Sequence, residues 1–351
     1  MNKDLKSMTF NELEQTVTQL DQKKYLAKYI FNFIHSMNIN DISQISSLSK
    51  AFRTSLIQQG YYISQLKITQ TFTDPDDGTV KYILDLSDGN QIQTVLLFDD
   101  GRKTLCVSTQ VGCAMNCEFC ATAKLGFRRN LTAGEIVDQV YIVQRNKCKI
   151  SNIVYMGMGE PMNNYDEVLK SVRILNHPDG INLGLRHLTI STCGDLAGIK
   201  KLANEDIHPR LAISLNAPTD AIRSKLMPIN TRYPLSQLFK TIKLYQFKTK
   251  QRVTFEYVLI NSLNDSALHA QTLAKLLLPL KCNVNLIEYN PHYGSKLAAS
   301  NKEAIKRFAK ILEKAGIETT IRPKRGQKIN AACGQLGGDQ LGIPPSQPQT
   351  D

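Results

Sequence analysis

From about residue 110 to residue 323 the chain alternates short apolar, β-type runs with helical stretches, and this rhythm leaves few folds open. The strand candidates are 152–157 (NIVYMG), 187–192 (HLTIST), 210–216 (RLAISLN), 252–260 (RVTFEYVLI), 283–289 (NVNLIEY) and 318–323. Strands separated by helices need long crossovers, and crossovers of that kind join parallel neighbours. The expected class is therefore α/β, a parallel sheet or barrel with its chemistry at the C-terminal strand ends. Two helices carry start signals. Thr132 with Glu135 forms a capping box for 133–145, and Ser300 with Glu303 does the same for 301–315, which Gly316 then stops.

The chain ahead of this region reads differently. Residues 10–60 are helical. Leu26, Tyr29, Ile30, Phe33, Ile34 and Met37 recur every three or four positions, as do Ile42, Ile45, Leu48, Phe52 and Leu56. Packing alone explains that pattern. Residues 61–109 turn β-like, and Asp88–Gly89 and Asp100–Gly101 separate apolar runs as hairpin turns do. The expected organisation is a helical accessory domain at 1–80, a core with an N-terminal β extension at 81–335, and a disordered tail at 336–351 ending in IPPSQPQTD.

Composition excludes several classes. No run of about 18 apolar residues appears, so no membrane span is expected. The opening MNKDLKSMTF lacks the apolar stretch of a secretory signal, so the expected location is cytoplasmic. The net charge is +12, and residues 1–85 contribute none of it, with 9 basic against 9 acidic side chains. Residues 301–330 hold 9 basic and 3 acidic side chains, a net +6. Such a concentration fits a polyanion partner, although the lysines of 302–314 also fit a solvated helix face. Arg128, Arg129 and the run Arg322, Lys324, Arg325 and Lys328 are candidates for phosphate contact.

Four of the eight cysteines fall within 106–120. In CAMNCEFC, Cys113, Cys117 and Cys120 stand in C-x3-C-x2-C spacing. Structural zinc usually takes four ligands from paired C-x2-C units, and no second pair exists here. Thiolates suit an iron–sulfur cluster, which normally takes four; three leave one iron open to a small chelating cosubstrate. This spacing resembles the radical S-adenosylmethionine (SAM) superfamily, with Phe119 as the aromatic before the last cysteine.

More strings narrow the resemblance. CVSTQVGCAMNCEFCAT, GFRRNLTAGEIVDQV, MGMGEPMNN, LTISTCG, KLMPIN, VNLIEYNP and AACGQL together resemble the RlmN/Cfr-type radical SAM methyltransferases of RNA adenines, over roughly 20–340. The resemblance implies a partial (β/α)6 radical SAM barrel, with the N-terminal helical domain binding RNA. It implies a [4Fe–4S] cluster on Cys113, Cys117 and Cys120, and two SAM molecules per turnover. One SAM methylates Cys333, which matches the methyl carrier. The other yields a 5′-deoxyadenosyl radical that takes hydrogen from that methyl group. The carbon radical adds to the adenine ring, and Cys106, matching the resolving cysteine, releases the product. Gly159, Glu160, Ser191, Ser214 and Asn290 match the SAM-binding residues. The implied target is adenine C2 in 23S rRNA and tRNA, with a one-electron donor such as flavodoxin as partner and a monomeric state.

Two positions depart from the family. Asn216 stands where the family has His, two residues after Ser214, and still offers hydrogen bonds toward the cosubstrate. Gln93 stands where the family has the Glu proposed to accept the ring proton, and Gln is no general base near neutral pH. The Cys106 thiolate, Asp99 or Asp100 would then take that proton, or the protein–RNA adduct would accumulate. The alternatives are an adenine-C8 enzyme, a diverged paralogue, a glycyl-radical activase, against which Cys333 argues, and a non-catalytic RNA-binding protein that kept the fold.

Overall fold

A computed structural model of the chain describes residues 3–99, 101–145, 148–291 and 294–341. The N-terminal module is α1 (Phe10–Gln19), α2 (Leu26–His35) and α3 (Lys50–Gln58). A meander of β1 (Lys67–Thr73), β2 (Val80–Asp85), β3 (Gln91–Asp99) and β4 (Arg102–Cys106) follows, each strand antiparallel to the last. A small ribbon, β5 (Gln110–Gly112) with β6 (Phe127–Asn130), brackets the cysteine loop and the short α4 (Ala121–Lys124). Then come α5 (Ala133–Arg145), β7 (Asn152–Tyr155), α6 (Tyr165–Asn176), β8 (Leu188–Thr192), α7 (Leu196–Leu202) and β9 (Arg210–Ser214). The last part is α8 (Asp220–Leu226), α9 (Ile229–Arg232), α10 (Leu235–Thr249), β10 (Val253–Leu259), α11 (Ala267–Leu277), β11 (Cys282–Glu288), α12 (Lys302–Lys314) and β12 (Glu318–Arg322).

One ten-stranded sheet runs β1-β2-β3-β4-β7-β8-β9-β10-β11-β12. From β4 to β12 every pairing is parallel, and six helical crossovers link the seven strands. This is the expected partial (β/α)6 barrel. All six strand candidates are present within one or two residues of their expected ends, and both Asp-Gly sites lie between antiparallel strands. Among the described residues, no helix is long and apolar enough to cross a membrane.

Local chemistry sets the element ends. Thr132 and Glu135 form the expected capping box, with Glu135 N on Thr132 Oγ1 (3.2 Å) and Thr132 N on Glu135 Oε2 (2.9 Å). The cap of α12 is corrected by one residue. Asn301 caps it through Ala304 N (2.8 Å), because Ser300 Oγ is drawn to buried Asp265 (2.7 Å). The sheet reaches into the stretch expected as the 1–80 domain. β1 pairs along its length with β2, so the sheet begins at 67 and the helices end at 58. At the start of the expected tail, Leu336 and Gly338 are buried and a short 3-10 turn forms at 338–341; 342–351 lie outside the described residues.

The N-terminal module docks on α5. Lys6 Nζ meets Asp138 Oδ1 at 2.7 Å with both side chains fully buried, and Leu66 N donates to the other carboxylate oxygen (2.7 Å). His35 Nδ1 and the Tyr141 hydroxyl lie 2.8 Å apart beneath α2. A buried ion pair of this kind costs desolvation, and removing one partner typically costs about 3–5 kcal/mol because the other charge is stranded.

Candidate active site at the mouth of the barrel

The C-terminal ends of the parallel strands surround a cavity of roughly 300 Å³. Cys106 ends β4, Gly159 and Glu160 follow β7, Ser191 and Thr192 end β8, and Ser214 ends β9. Glu256 of β10, Asn290 after β11 and Arg322 at the end of β12 complete the ring. Parallel strands in register deliver side chains at one level, which is why positions far apart in the chain meet here.

The cysteine loop forms one wall. Gly112 precedes Cys113 with φ +73°, and a Cβ there would stand 1.8 Å from the Gly126 carbonyl, so only glycine lets the two strands of the ribbon approach. Asn116 takes a left-handed conformation (φ 50°) and turns the loop between Cys113 and Cys117. Cys113, Cys117 and Cys120 all line the cavity. Among the described residues, no three His, Cys, Asp or Glu side chains converge on a point suited to a single metal ion. Three thiols on one wall with no fourth cysteine beside them in the loop suit a multi-iron cube taking one thiolate per iron, with one iron left open. Burial pushes Cys113 up to about 12 and Cys117 well above the ordinary thiol range. Thiolates in such a place need bound cations to offset their charge, and the irons of a cluster supply it.

The opposite walls are polar. Burial raises the Glu160 carboxyl, while donors from Cys193 N (2.8 Å) and Met162 N (3.1 Å) work against the rise. Glu160 N itself donates to Gln110 (2.9 Å), which fixes the Gly-Glu turn. Asn216 sits in a left-handed conformation (φ 58°), one that Asn tolerates well. Its side chain is committed to the protein, with Oδ1 accepting from Val258 N (2.9 Å) and Nδ2 on Met227 Sδ (3.3 Å). Asn216 therefore shapes the wall more than it offers hydrogen bonds to a ligand. Asn290 bridges outward: Nδ2 donates to the Cys333 carbonyl (3.4 Å) and Oδ1 accepts from Gln327 (3.1 Å).

Cys106 and Cys333 meet on this cavity as free thiols. Cys333 keeps solvent-accessible surface, but that surface opens into the cavity with protein packed around it. Gly334 follows it with φ +86°, and a Cβ there would come within 2.8 Å of the Phe119 carbonyl. Burial pushes Cys333 up to about 11 and Cys106 up to about 12. Cys333 adds to the rise of Cys106, Cys120 and Glu256 add to that of Cys333, and the Arg322 guanidinium opposes both.

Some expected residues lie elsewhere. Gln93 is fully buried and does not line the cavity, although Val95, Leu97 and Asp99 of the same strand face do. Asp99 lines it but is paired with Arg325 (3.0 Å), and Asp100 lies outside the described residues. Each cation of the basic run, expected as a candidate for phosphate contact, has an acidic partner. Arg322 faces Glu256 (3.6 Å), Lys324 faces Glu288 (2.5 Å), Arg325 faces Asp99 and Lys328 faces Asp76 (2.7 Å). Arg129 is held by two bonds to Glu135 (2.8 and 2.9 Å), and Arg128 reaches Asn90 (3.1 Å). Among the described residues, Lys302, Lys306, Arg307, Lys310 and Lys314 of α12 join no ion pair, whereas Arg322, Lys324, Arg325 and Lys328 each do.

Two residues of the site and its support escaped sequence reasoning. Glu256 stands in register with Ser214 and Asn285, and Asn285 Nδ2 donates to its carboxylate (2.8 Å). A lone Glu within the apolar run RVTFEYVLI was the available signal. Buried Arg223 donates to the carbonyls of Cys193 (2.6 Å) and Leu215 (3.1 Å), tying the ends of β8 and β9 behind the cluster wall. Its only signal was its place just before KLMPIN.

Comparison with known proteins agrees with this geometry. Residues 107–274 match the family model of the radical SAM superfamily, and residues 3–61 match that of the ribosomal RNA large subunit methyltransferase N-terminal domain. The chain is 45% identical over 333 residues to a probable dual-specificity RNA methyltransferase RlmN of Thermoanaerobacter sp. (strain X514), covering 95% of this chain and 97% of that one. It is 43% identical over 335 residues to the protein of the same description from Thermotoga neapolitana, with the same coverage. Among solved structures, a radical SAM methyltransferase from Sphaerobacter thermophilus superposes with a TM-score of 0.89 at 42% identity, over 96% of this chain and 100% of that one.

Proposed function

The chain belongs to the RlmN family of radical SAM RNA methyltransferases, and from that premise we propose that it methylates C2 of an adenine in 23S rRNA and tRNA through a methyl group carried on Cys333. The names of the relatives, dual-specificity RNA methyltransferases, support RNA as the substrate. We assign the [4Fe–4S] cluster to Cys113, Cys117 and Cys120, and SAM, two per turnover, to the wall of Gly159, Glu160, Ser191, Ser214 and Asn290. When bound, cluster and SAM supply reductive cleavage and a carbon radical able to take hydrogen from a methyl group.

The chain's own residues account for the rest. Glu160 offers a buried carboxylate to the SAM ammonium, its geometry held by backbone donors. Arg322 favours the thiolate form of Cys333, the form that accepts a methyl group. Cys106, on the same wall, is positioned to take the Cys333 sulfur when the methylated base leaves. Ring-proton removal is assigned to Cys106, because Gln93 does not line the cavity and Asp99 is paired. The proton must then pass on from Cys106 before its thiolate attacks the Cys333 sulfur, and the Cys106–Cys333 disulfide forms as the carbon–sulfur bond breaks. The base must enter unstacked, since the cavity holds one ring and no duplex. Phosphate contact is assigned to the unpaired cations of α12 before the paired rim. We assign the enzyme to the cytoplasm, as a monomer served by a donor such as flavodoxin.

The meeting of Cys106 and Cys333 beside the three loop cysteines carries this reading. Its test is mass spectrometry of RNA treated with SAM, reductant and anaerobically reconstituted protein. The expected product is 2-methyladenosine, absent with Cys333→Ala. 8-Methyladenosine would move the assignment to C8. A trapped wild-type protein–RNA adduct would mean that the ring proton lacks an acceptor.

A further inference from the structure

The segment carrying Cys333 is fastened on two sides. Toward the cavity, Ala121 N donates to the Gly334 carbonyl (2.7 Å), Thr122 Oγ1 to the Leu336 carbonyl (2.7 Å) and Gln335 Nε2 to the Pro291 carbonyl (3.0 Å). Beyond Leu336 the segment crosses β2 and β3, where three polar side chains meet. Lys81 Nζ lies 2.7 Å from Asp339 Oδ2, and Gln93 Nε2 donates to the same oxygen at 3.0 Å. Gly337 N donates to Gln93 Oε1 (3.0 Å). Lys81 and Gln93 are fully buried, and Asp339 Oδ1 is buried with no hydrogen-bond partner.

This arrangement suits an amide and excludes a carboxylate. Position 93 must accept from a backbone N–H and donate to a carboxylate oxygen, and an uncharged Gln does both. Lys81 and Asp339 already balance one another. An ionised Glu at 93 would keep the bond from Gly337 but aim a lone pair at Asp339, adding an unpaired negative charge to a buried cluster. Gln93 is thus not a vacant proton acceptor but a fitted part of the contact between sheet and segment.

We propose that Gln93 and Lys81 are positioning residues that latch Asp339, and so hold the Cys333 segment closed over the cavity beside Cys106. The catalytic consequence rests on the proposed role of Cys333 as methyl carrier; the latch itself does not.

The test uses full-length, cluster-loaded protein kept anaerobic. The rate of Cys333 alkylation by iodoacetamide is read by mass spectrometry in the wild type, Gln93→Glu, Asp339→Asn and the double variant. The double variant exchanges amide and carboxylate without changing shape or net charge. Releasing the segment into water removes the burial that restrains the thiol, so each single variant should alkylate about tenfold faster or more, the factor matching one lost buried hydrogen bond to a charged group. The double variant should return to within about twofold of wild type, the mark of direct coupling. Methylation of Cys333 by SAM without RNA should fall and recover in the same order. Wild-type alkylation in Gln93→Glu would overturn the latch. So would a double variant as fast as the faster single one, since that is general loosening. A Gln93→Glu enzyme that turns over RNA faster than wild type would also overturn it, by making position 93 a proton-acceptor site. If Cys333 never gains a methyl group while the alkylation pattern holds, the methyl-carrier role fails and the latch stands.

Discussion

The cavity carries two sets of thiols held in opposite ways. Cys113, Cys117 and Cys120 share one short loop, pinned at its ends by the β5–β6 ribbon and by Gly112. Cys106 and Cys333 come from the first barrel strand and from the segment after the last one, and only tertiary bonds bring them together. Covalent closeness makes the first set insensitive to change elsewhere. The second set depends on Asn290, Thr122 and the Asp339 contact, each remote from Cys106 in sequence. A fixed set fits a permanent cofactor. A set held by separable bonds fits a thiol that must move between partners.

Breaking the fixed set should have the largest effect. Cys117→Ser removes one of the three proposed cluster ligands, and formation of 5′-deoxyadenosine from SAM, followed by chromatography, should fall to the uncatalysed background. Breaking the second set on its other side comes next. Cys106→Ala should still form the bond to RNA but not release it, so a protein–RNA adduct should accumulate on denaturing gels. Free product at the wild-type rate would remove Cys106 from the resolving role.

A subtler change separates the sets by charge. Burial raises Cys333 to about 11 and Cys106 to about 12, and Arg322 opposes both shifts. Methylation of Cys333 should therefore quicken as pH rises from 7 to 9, because more thiolate forms. Arg322→Gln should raise the thiol further and slow methylation at pH 7 by about tenfold, the equivalent of one pKa unit. Arg322→Lys, which keeps the charge, should recover part of the rate. An unchanged pH profile would show that Arg322 only braces Glu256. The smallest effect belongs to the bond that joins the two sets. Thr122→Val deletes the donor to the Leu336 carbonyl and should lower unfolding stability by about 1 kcal/mol in a denaturant titration.

The basic residues illustrate why charge alone was a poor guide. Residues 301–330 carry a net +6, yet the rim cations are answered one by one by Glu256, Glu288, Asp99 and Asp76. Those acids lie in four separate parts of the chain. The helix α12 was the dull half of the same stretch, and within 301–330 its cations are the ones without an ion pair. Glu256 was visible as a charge inside an apolar strand, but nothing local showed that Ser214, Asn285 and Arg322 would surround it. Ser300 lost its cap to Asn301 because Asp265, on another helix's approach, claimed its hydroxyl.

What the chain alone determined is whatever rests on near neighbours: the strand–helix rhythm, the Thr132 capping box, the hairpin turns, and three thiols spaced for one cluster. Backbone geometry and side-chain period act over a few residues, so they can be read in order. Only the tertiary structure decided that Cys106 and Cys333 share one cavity, that the rim charges cancel, and that Gln93 is covered by the Cys333 segment and bonded to Asp339. Those outcomes depend on strand register and burial, where a partner hundreds of residues away sets whether a polar atom meets water, a charge or another amide.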